Sequence, residues 1–202
     1  MEQPTLAGRH VRLVPLSIDQ VPALCEVGLD PEIWRWVPSN VVAAADMRRF
    51  VEEALAERDA GRALPFAQVE IGTGRVVGST RLANIDRTHA RAEIGWTWLG
   101  KPWQRTAINT EAKLLLFTYG FEVMGCRRVE LKTDVLNEQS RRAIRRLGAV
   151  QEGIFRRHMI TESGRSRDTV YFSVIDEEWP DVRQRLRDRL DTRANVPSPP
   201  RP

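Results

Sequence analysis

Apolar and polar residues alternate along "HVRLVPL" (residues 10 to 16), a period of two that predicts a strand. "SIDQVPALCEVGLD" (17 to 30) reads as a capped helix with a Pro in its early turns, and "DPEIWRWVPS" (30 to 39) as a short irregular stretch. "AADMRRFVEEALAERDAG" (44 to 61) carries apolar residues at helical spacing and ends on Gly. "PFAQVEI", the turn "GTG" and "RVVGSTRLANI" (65 to 85) form a hairpin, followed by a third strand, "ARAEIGWTWLG" (90 to 100). A helix from about 108 to 124 places Ala112, Leu115, Leu116, Tyr119 and Val123 on one face. A strand (126 to 135) then leads to a helix (137 to 149) with Asn137 as N-cap and Gly near its end. Two strands (150 to 160, 167 to 175) flank a "TESGRS" turn, and a final helix lies within 176 to 193. The order β, αα, βββ, α, β, α, ββ, α predicts an α+β protein, a mixed sheet of about seven strands flanked by helices.

The 202 residues fit a single domain over 1–192, with a Pro-rich tail, "ANVPSPPRP", read as disordered over 193–202. No apolar run reaches the roughly 18 residues of a membrane span, and no signal-peptide pattern opens the chain, so a cytoplasmic protein is expected. Cys25 and Cys126 form no CxxC, and His10, His89 and His158 are scattered; reduced thiols and no metal are expected. A net charge of +4 favours acidic ligands in general. The basic runs "RRAIRR" and "RQRLRDRL" have few interleaved aromatics and read as solvated faces rather than a nucleic-acid stripe.

One polar stretch stands out. "WQRTAINTEAKLLLF" (103 to 117) places Gln104, Arg105, Thr106, Ala107, Ile108, Asn109 and Thr110 at the mouth of a helix that follows a strand. Helix mouths carry unpaired N–H groups and partial positive charge, a site for an anion. In order along the chain, "AEIGW" (92 to 96), "QRTAINTEA" (104 to 112), "NEQSRRAIRRLGAVQEG" (137 to 153) and "RDTVYFSVIDEEWP" (167 to 180) resemble segments of the GCN5-related N-acetyltransferases (GNAT family). The last is similar to the Rim-type subgroup, which acetylates ribosomal-protein N-termini. The resemblance covers about residues 8 to 180. It implies the GNAT fold and acetyl-CoA as co-substrate, with the CoA pyrophosphate on the N–H groups of residues 104 to 109. The family's loop has Gly at two positions where this chain has Ala107 and Asn109.

The implied reaction is direct attack of a neutral amine on the acetyl thioester. It needs a base, a donor for the oxyanion and an optional acid for the leaving thiolate. Glu93, a carboxylate among apolar strand neighbours, is the candidate base, with Glu70 and Glu152 as weaker alternatives. The other reading of Glu93 is a solvent-face residue or an ion pair with an Arg such as Arg81. The resemblance places the oxyanion donor near Trp98 and Leu99. Many family members have a Tyr acid where this chain has Ile144, which leaves Ser140; Asn137 caps its helix and, in the family, contacts the pantetheine arm. Trp34 and Trp36 are candidates for the acceptor wall or for packing under the first helices. About a tenth of an α-amine is neutral at pH 7, against under a thousandth of a lysine, so a site without Tyr suits a protein N-terminal α-amine or a low-pKa small-molecule amine. The alternative is a catalytically silent CoA- or RNA-binding module of the same fold. A homodimer is the oligomeric option that the family raises.

Overall fold

The computed structural model describes residues 3–194, and the expected tail lies outside them from 195 onward. One mixed sheet of eight strands runs in the order β1-β2-β3-β4-β5-β6-β8-β7. The strands are β1 (Leu6–Ala7), β2 (Val11–Pro15), β3 (Leu64–Glu70), β4 (Val76–Asp86), β5 (Arg91–Leu99), β6 (Arg128–Asp134), β7 (Val150–Ile160) and β8 (Ser166–Ile175). The eighth strand, absent from the pattern reading, is β1. Two residues are too few to show alternation, and β1 exists by pairing with β2. The helices are α1 (Val21–Gly28), α2 (Pro31–Trp34), α3 (Ala44–Asp59), α4 (Ala107–Thr118), α5 (Glu138–Leu147) and α6 (Trp179–Ala194).

Two differences from the pattern have local causes. The stretch from residue 30 was expected to be irregular, yet Asp30 caps α2 by accepting from the Glu32 N–H, and Pro31 takes the first helical position. The helix expected to run to Met124 ends its α-helical part at Thr118. It continues as a π turn over Tyr119–Val123, with the Met124 N–H reaching the Tyr119 carbonyl at 2.9 Å.

Two apolar cores flank the sheet. The larger joins strand residues such as Leu13, Phe66, Val129 and Phe172 to α4 and α6 through Leu116, Phe117 and Leu186. The smaller lies under α1–α3 and holds Leu24, Met47, Phe50, Trp34 and Trp98. Among the described residues no helix is long and apolar enough to cross a membrane.

Helix α4 is fixed to the sheet by Glu111, 3% exposed. Its carboxylate accepts from the N–H groups of Arg9, His10 and Val11 at 2.7, 2.6 and 2.8 Å. Gly8 passes so close to this carboxylate that a Cβ there would collide with it. Glu111→Gln puts an amide donor where an acceptor is needed, and is expected to cost about 2 kcal/mol in urea unfolding. An unchanged denaturation midpoint would show that this clamp contributes nothing.

The feature that positions the site is a short seam. The sheet is antiparallel except between β5 and β6, which pair in parallel only over Arg91–Glu93 and Arg128–Glu130. Beyond Glu93 the two strands separate, and every second N–H of the following residues lies on an edge with no strand beside it.

Candidate active site

The separation opens a cleft of about 1400 Å³. Its walls are β5, β6, the start of α4, α5 and the 32–38 segment. Strand β5 is deformed where it faces the gap. Gly95 pairs with Arg81 and Trp98 with Ser79, so Trp96 and Thr97 together oppose the single residue Thr80. Trp96 has φ +48°, uncommon for a residue with a side chain, and marks a β-bulge. Buried Gln68 ties this bulge to the sheet by donating from Nε2 to the carbonyls of Ser79 (3.1 Å) and Trp98 (3.2 Å).

At the donor-facing end, Gly100 and a 3-10 turn (Lys101–Trp103) lead into α4. Gln104 donates to the Leu99 carbonyl at 3.0 Å, and Arg105 takes φ +62°. Thr106 is the N-cap: its Oγ accepts from the Ile108 N–H at 3.3 Å and donates to the Trp103 carbonyl at 2.7 Å. The other N–H groups of the first turn have no intrahelical partner. Gln104, Arg105, Thr106, Asn109 and Thr110 line the cleft. Ala107 is outside its lining, and Ile108 is directed into the larger core, 3% exposed. Asn109 Oδ1 is buried without a hydrogen-bond partner. Arg142, Arg146 and Arg189 border the same end. Free N–H groups at a helix start, with guanidiniums around them, fit the phosphates of a nucleotide-bearing ligand such as CoA.

Asn137, the N-cap of α5, accepts from the Ser140 N–H at 3.0 Å, and both residues line the cleft with Ile144. Asn137→Ala removes this cap and is expected to lower stability by about 1 kcal/mol. It should also raise KM for acetyl-CoA, whereas Asn137→Asp should restore the stability; thermal unfolding and initial rates check both.

At the other end, Glu93 is 6% exposed and borders the cleft. The alternative of an Arg81 pair is not what forms. Arg81 donates to the Phe50 carbonyl at 3.1 Å and lies over the Phe50 and Trp96 rings. Glu93 Oε2 instead accepts from Asn84 Nδ2 and Lys132 Nζ, each at 2.7 Å. Its Oε1 lies over Gly95, where an added Cβ would come within 2.9 Å of it. Burial opposes the charge on Lys132, but Glu93, Tyr171 and Glu130 nearby hold its pKa above the ordinary lysine value. Neither weaker alternative lines the cleft: Glu70 accepts from Trp103 Nε1 at 3.1 Å, and Glu152 pairs with Arg128 and accepts from Ser173 at 2.8 Å.

Trp36 lines the cleft, with the Arg35 and Arg165 guanidiniums 4.9 and 5.5 Å from its ring centre. Trp34 does not. It is 3% exposed, packs at 5.3 Å against both Phe50 and Trp98, and donates from Nε1 to the Gly28 carbonyl at 2.6 Å. The short helix α2 turns it inward, so as an acceptor-wall candidate it is corrected to a core residue. Trp98 and Leu99 border the cleft through β5, although the Trp98 ring belongs to the smaller core.

The sequence reading did not single out several residues of the cleft. Lys113 donates to Thr97 Oγ at 2.8 Å, and Thr97 Oγ lies 2.7 Å from Thr80 Oγ, so a buried ammonium site braces the bulge. Burial lowers its pKa to about 7, with Glu93 opposing the shift. His158 lies 3.1 Å from Thr169 Oγ and 3.2 Å from the Tyr171 hydroxyl. Burial, then Lys132 and Arg167, lower its pKa.

A sheet split at a parallel seam, bulged on one lip, with a helix start at its mouth, is the architecture of an acetyl-CoA-dependent acetyltransferase. Residues 10–150 match the acetyltransferase (GNAT) domain family, and the chain belongs to that family. Over 179 residues it is 27% identical to the N-acetyltransferase p20 of Bacillus licheniformis, covering 87% of this chain and 98% of that one. Over 106 residues it is 36% identical to YdaF of Bacillus subtilis, whose name places it provisionally among ribosomal N-acetyltransferases; the match spans 52% of this chain and 57% of YdaF. A crystal structure of a GCN5-related N-acetyltransferase from Brucella melitensis superposes with a TM-score of 0.84 at 34% identity, over 94% of this chain and 86% of that one. Mycobacterium smegmatis RimJ in complex with CoA-disulfide shares the fold, with a TM-score of 0.81 at 22% identity, over 93% and 95% of the two chains.

Proposed function

We propose that this protein transfers the acetyl group of acetyl-CoA to a primary amine by direct attack in a ternary complex. The acceptor is a protein N-terminal α-amine or a small-molecule amine. The observation that carries this reading is the joint placement of Glu93, the β5 bulge and the α4 mouth around one cleft.

Each group has a role there. The N–H groups and guanidiniums at the α4 mouth hold the CoA phosphates. The unpaired edges of β5 and β6 offer N–H and C=O groups to the amides of the pantetheine arm. An N–H of the bulged strand, near Trp98 and Leu99, donates to the oxygen that becomes negative as the amine adds. Glu93, held by Asn84 and Lys132, takes the amine proton. Ser140 is the hydroxyl nearest in sequence to the α5 cap, and it assists the departing thiolate. That thiolate needs little help, since a thiol's pKa is about 8.5. The name of YdaF and the CoA compound bound to RimJ support the donor and the acceptor class.

Free-thiol release from acetyl-CoA, measured against N-terminal peptides, lysine peptides and small amines, tests the reading. Release with one amine class is the expected result. Salt-sensitive retention of RNA with no release on any amine would favour a silent binding module.

A further inference from the structure

The acceptor end of the cleft contains a guanidinium that the reaction above does not use. Arg167, in β8, lines the cleft and is 4% exposed. Its Nε is buried without a hydrogen-bond partner. The nearest carboxylate, Asp134, is fully buried and is shared: Arg165 pairs with it directly, and Arg167 Nε stands 3.8 Å away. Two guanidiniums facing one carboxylate leave a positive charge uncompensated. Glu93 and Glu130 do not supply the missing anion, because both are engaged by Lys132, at 2.7 and 3.3 Å. Arg167 and Glu93 nevertheless interact electrostatically, so the surplus charge is felt where the acceptor nitrogen would sit.

A buried, under-satisfied cation beside an amine-accepting carboxylate is costly unless a ligand completes it. We propose that Arg167 forms an anion subsite, and that the preferred acceptor is an amine that itself bears a carboxylate. The proposal rests on the acetyltransferase reading and adds the acceptor's chemistry. Glu93 takes the proton at the nitrogen end, and Arg167 receives the carboxylate in a charge-assisted contact. Burial, then Lys132 and Arg167, lower the pKa of His158, which favours its neutral form and leaves the anion to Arg167. The carboxylate can come from a free amino acid or from an acidic residue near a peptide N-terminus.

The test compares matched acceptors in the thiol-release assay. One arm pairs peptides that differ only as Glu against Gln, or Asp against Asn, at their first two positions. The other pairs free amino acids with their amides. In one arm the wild type should favour the carboxylate member by about tenfold or more in kcat/KM. That arm identifies the source. Arg167→Gln should erase the preference by raising KM for the carboxylate acceptor, with kcat on the amide acceptor and KM for acetyl-CoA unchanged. Equal kcat/KM within every pair of the wild type would overturn the subsite while leaving the acetyltransferase in place, and this comparison needs no variant. If no amine turns over, calorimetry of the N-acetylated pairs with CoA present reads the subsite directly. Tighter binding of the carboxylate member supports it, and equal binding overturns it.

Discussion

Glu93→Gln is expected to lower kcat/KM for the amine by about 10²- to 10³-fold, the range of a positioned general base. The substitution is close to isosteric. A Gln carbonyl at the Oε2 position still accepts from Asn84 and Lys132, so the seam between β5 and β6 should hold. Lys132 keeps Glu130 as a partner at 3.3 Å. KM for acetyl-CoA should therefore change by no more than about twofold, since the α4 mouth is untouched. Steady-state kinetics with both substrates varied separates these quantities. Unchanged kcat/KM would remove Glu93 from its role, and Lys113, a cleft residue whose pKa burial lowers to about 7, would replace it as candidate base.

Lys113→Met is expected to make the protein more stable and less active. A lysine held at a pKa of about 7, below its ordinary 10.5, binds fewer protons folded than unfolded between those values. Stability therefore rises with pH across that window, and the penalty is full below it. At roughly 1.4 kcal/mol per pKa unit the penalty at neutral pH is a few kcal/mol. Methionine fills a similar volume without the charge, so the gain should be largest at pH 7 and below and fade toward pH 10.5. The lost bond to Thr97 offsets part of it. That same bond braces the β5 bulge, and kcat should fall about tenfold or more as the bulge loosens. Thermal unfolding at several pH values, beside thiol release, reads both effects. A stability gain that does not vary with pH would mean that Lys113 is not the group under strain.

The strands with clear alternation were legible from the chain, and so was the helix over 44 to 61. So too were the capping roles of Asn137 and the polar loop before α4, because these depend on neighbours a few residues away. The site divides along the same line. Glu93 and the 104 to 110 loop announce themselves locally. The partners of Glu93 do not: Lys132 lies 39 residues on and meets it only because β6 inserts beside β5. Arg167 and His158 reach the cleft through β8 and a bulged β7, a topological fact with no local pattern. Lys113 could have been found, since it falls on the arc of α4 that carries Ile108, Ala112, Leu116 and Phe117, where a lysine interrupts an apolar surface. Trp34 misled for the opposite reason. Two tryptophans two residues apart look alike in sequence, and only the half-turn or so of rotation between 34 and 36 decides which faces inward.

The three-pair seam has one more consequence. Proteins ordinarily keep unpaired strand edges at the rim of a sheet, and blunt them there because an open edge recruits other chains. This fold has two such edges in the middle of its sheet, facing each other across a gap. They are recessed behind α4 and the segment around Trp36, so a folded neighbour cannot add a strand to them. A thin, flexible chain with amides of its own can. The interruption that elsewhere would be an aggregation hazard here selects its guest by thickness.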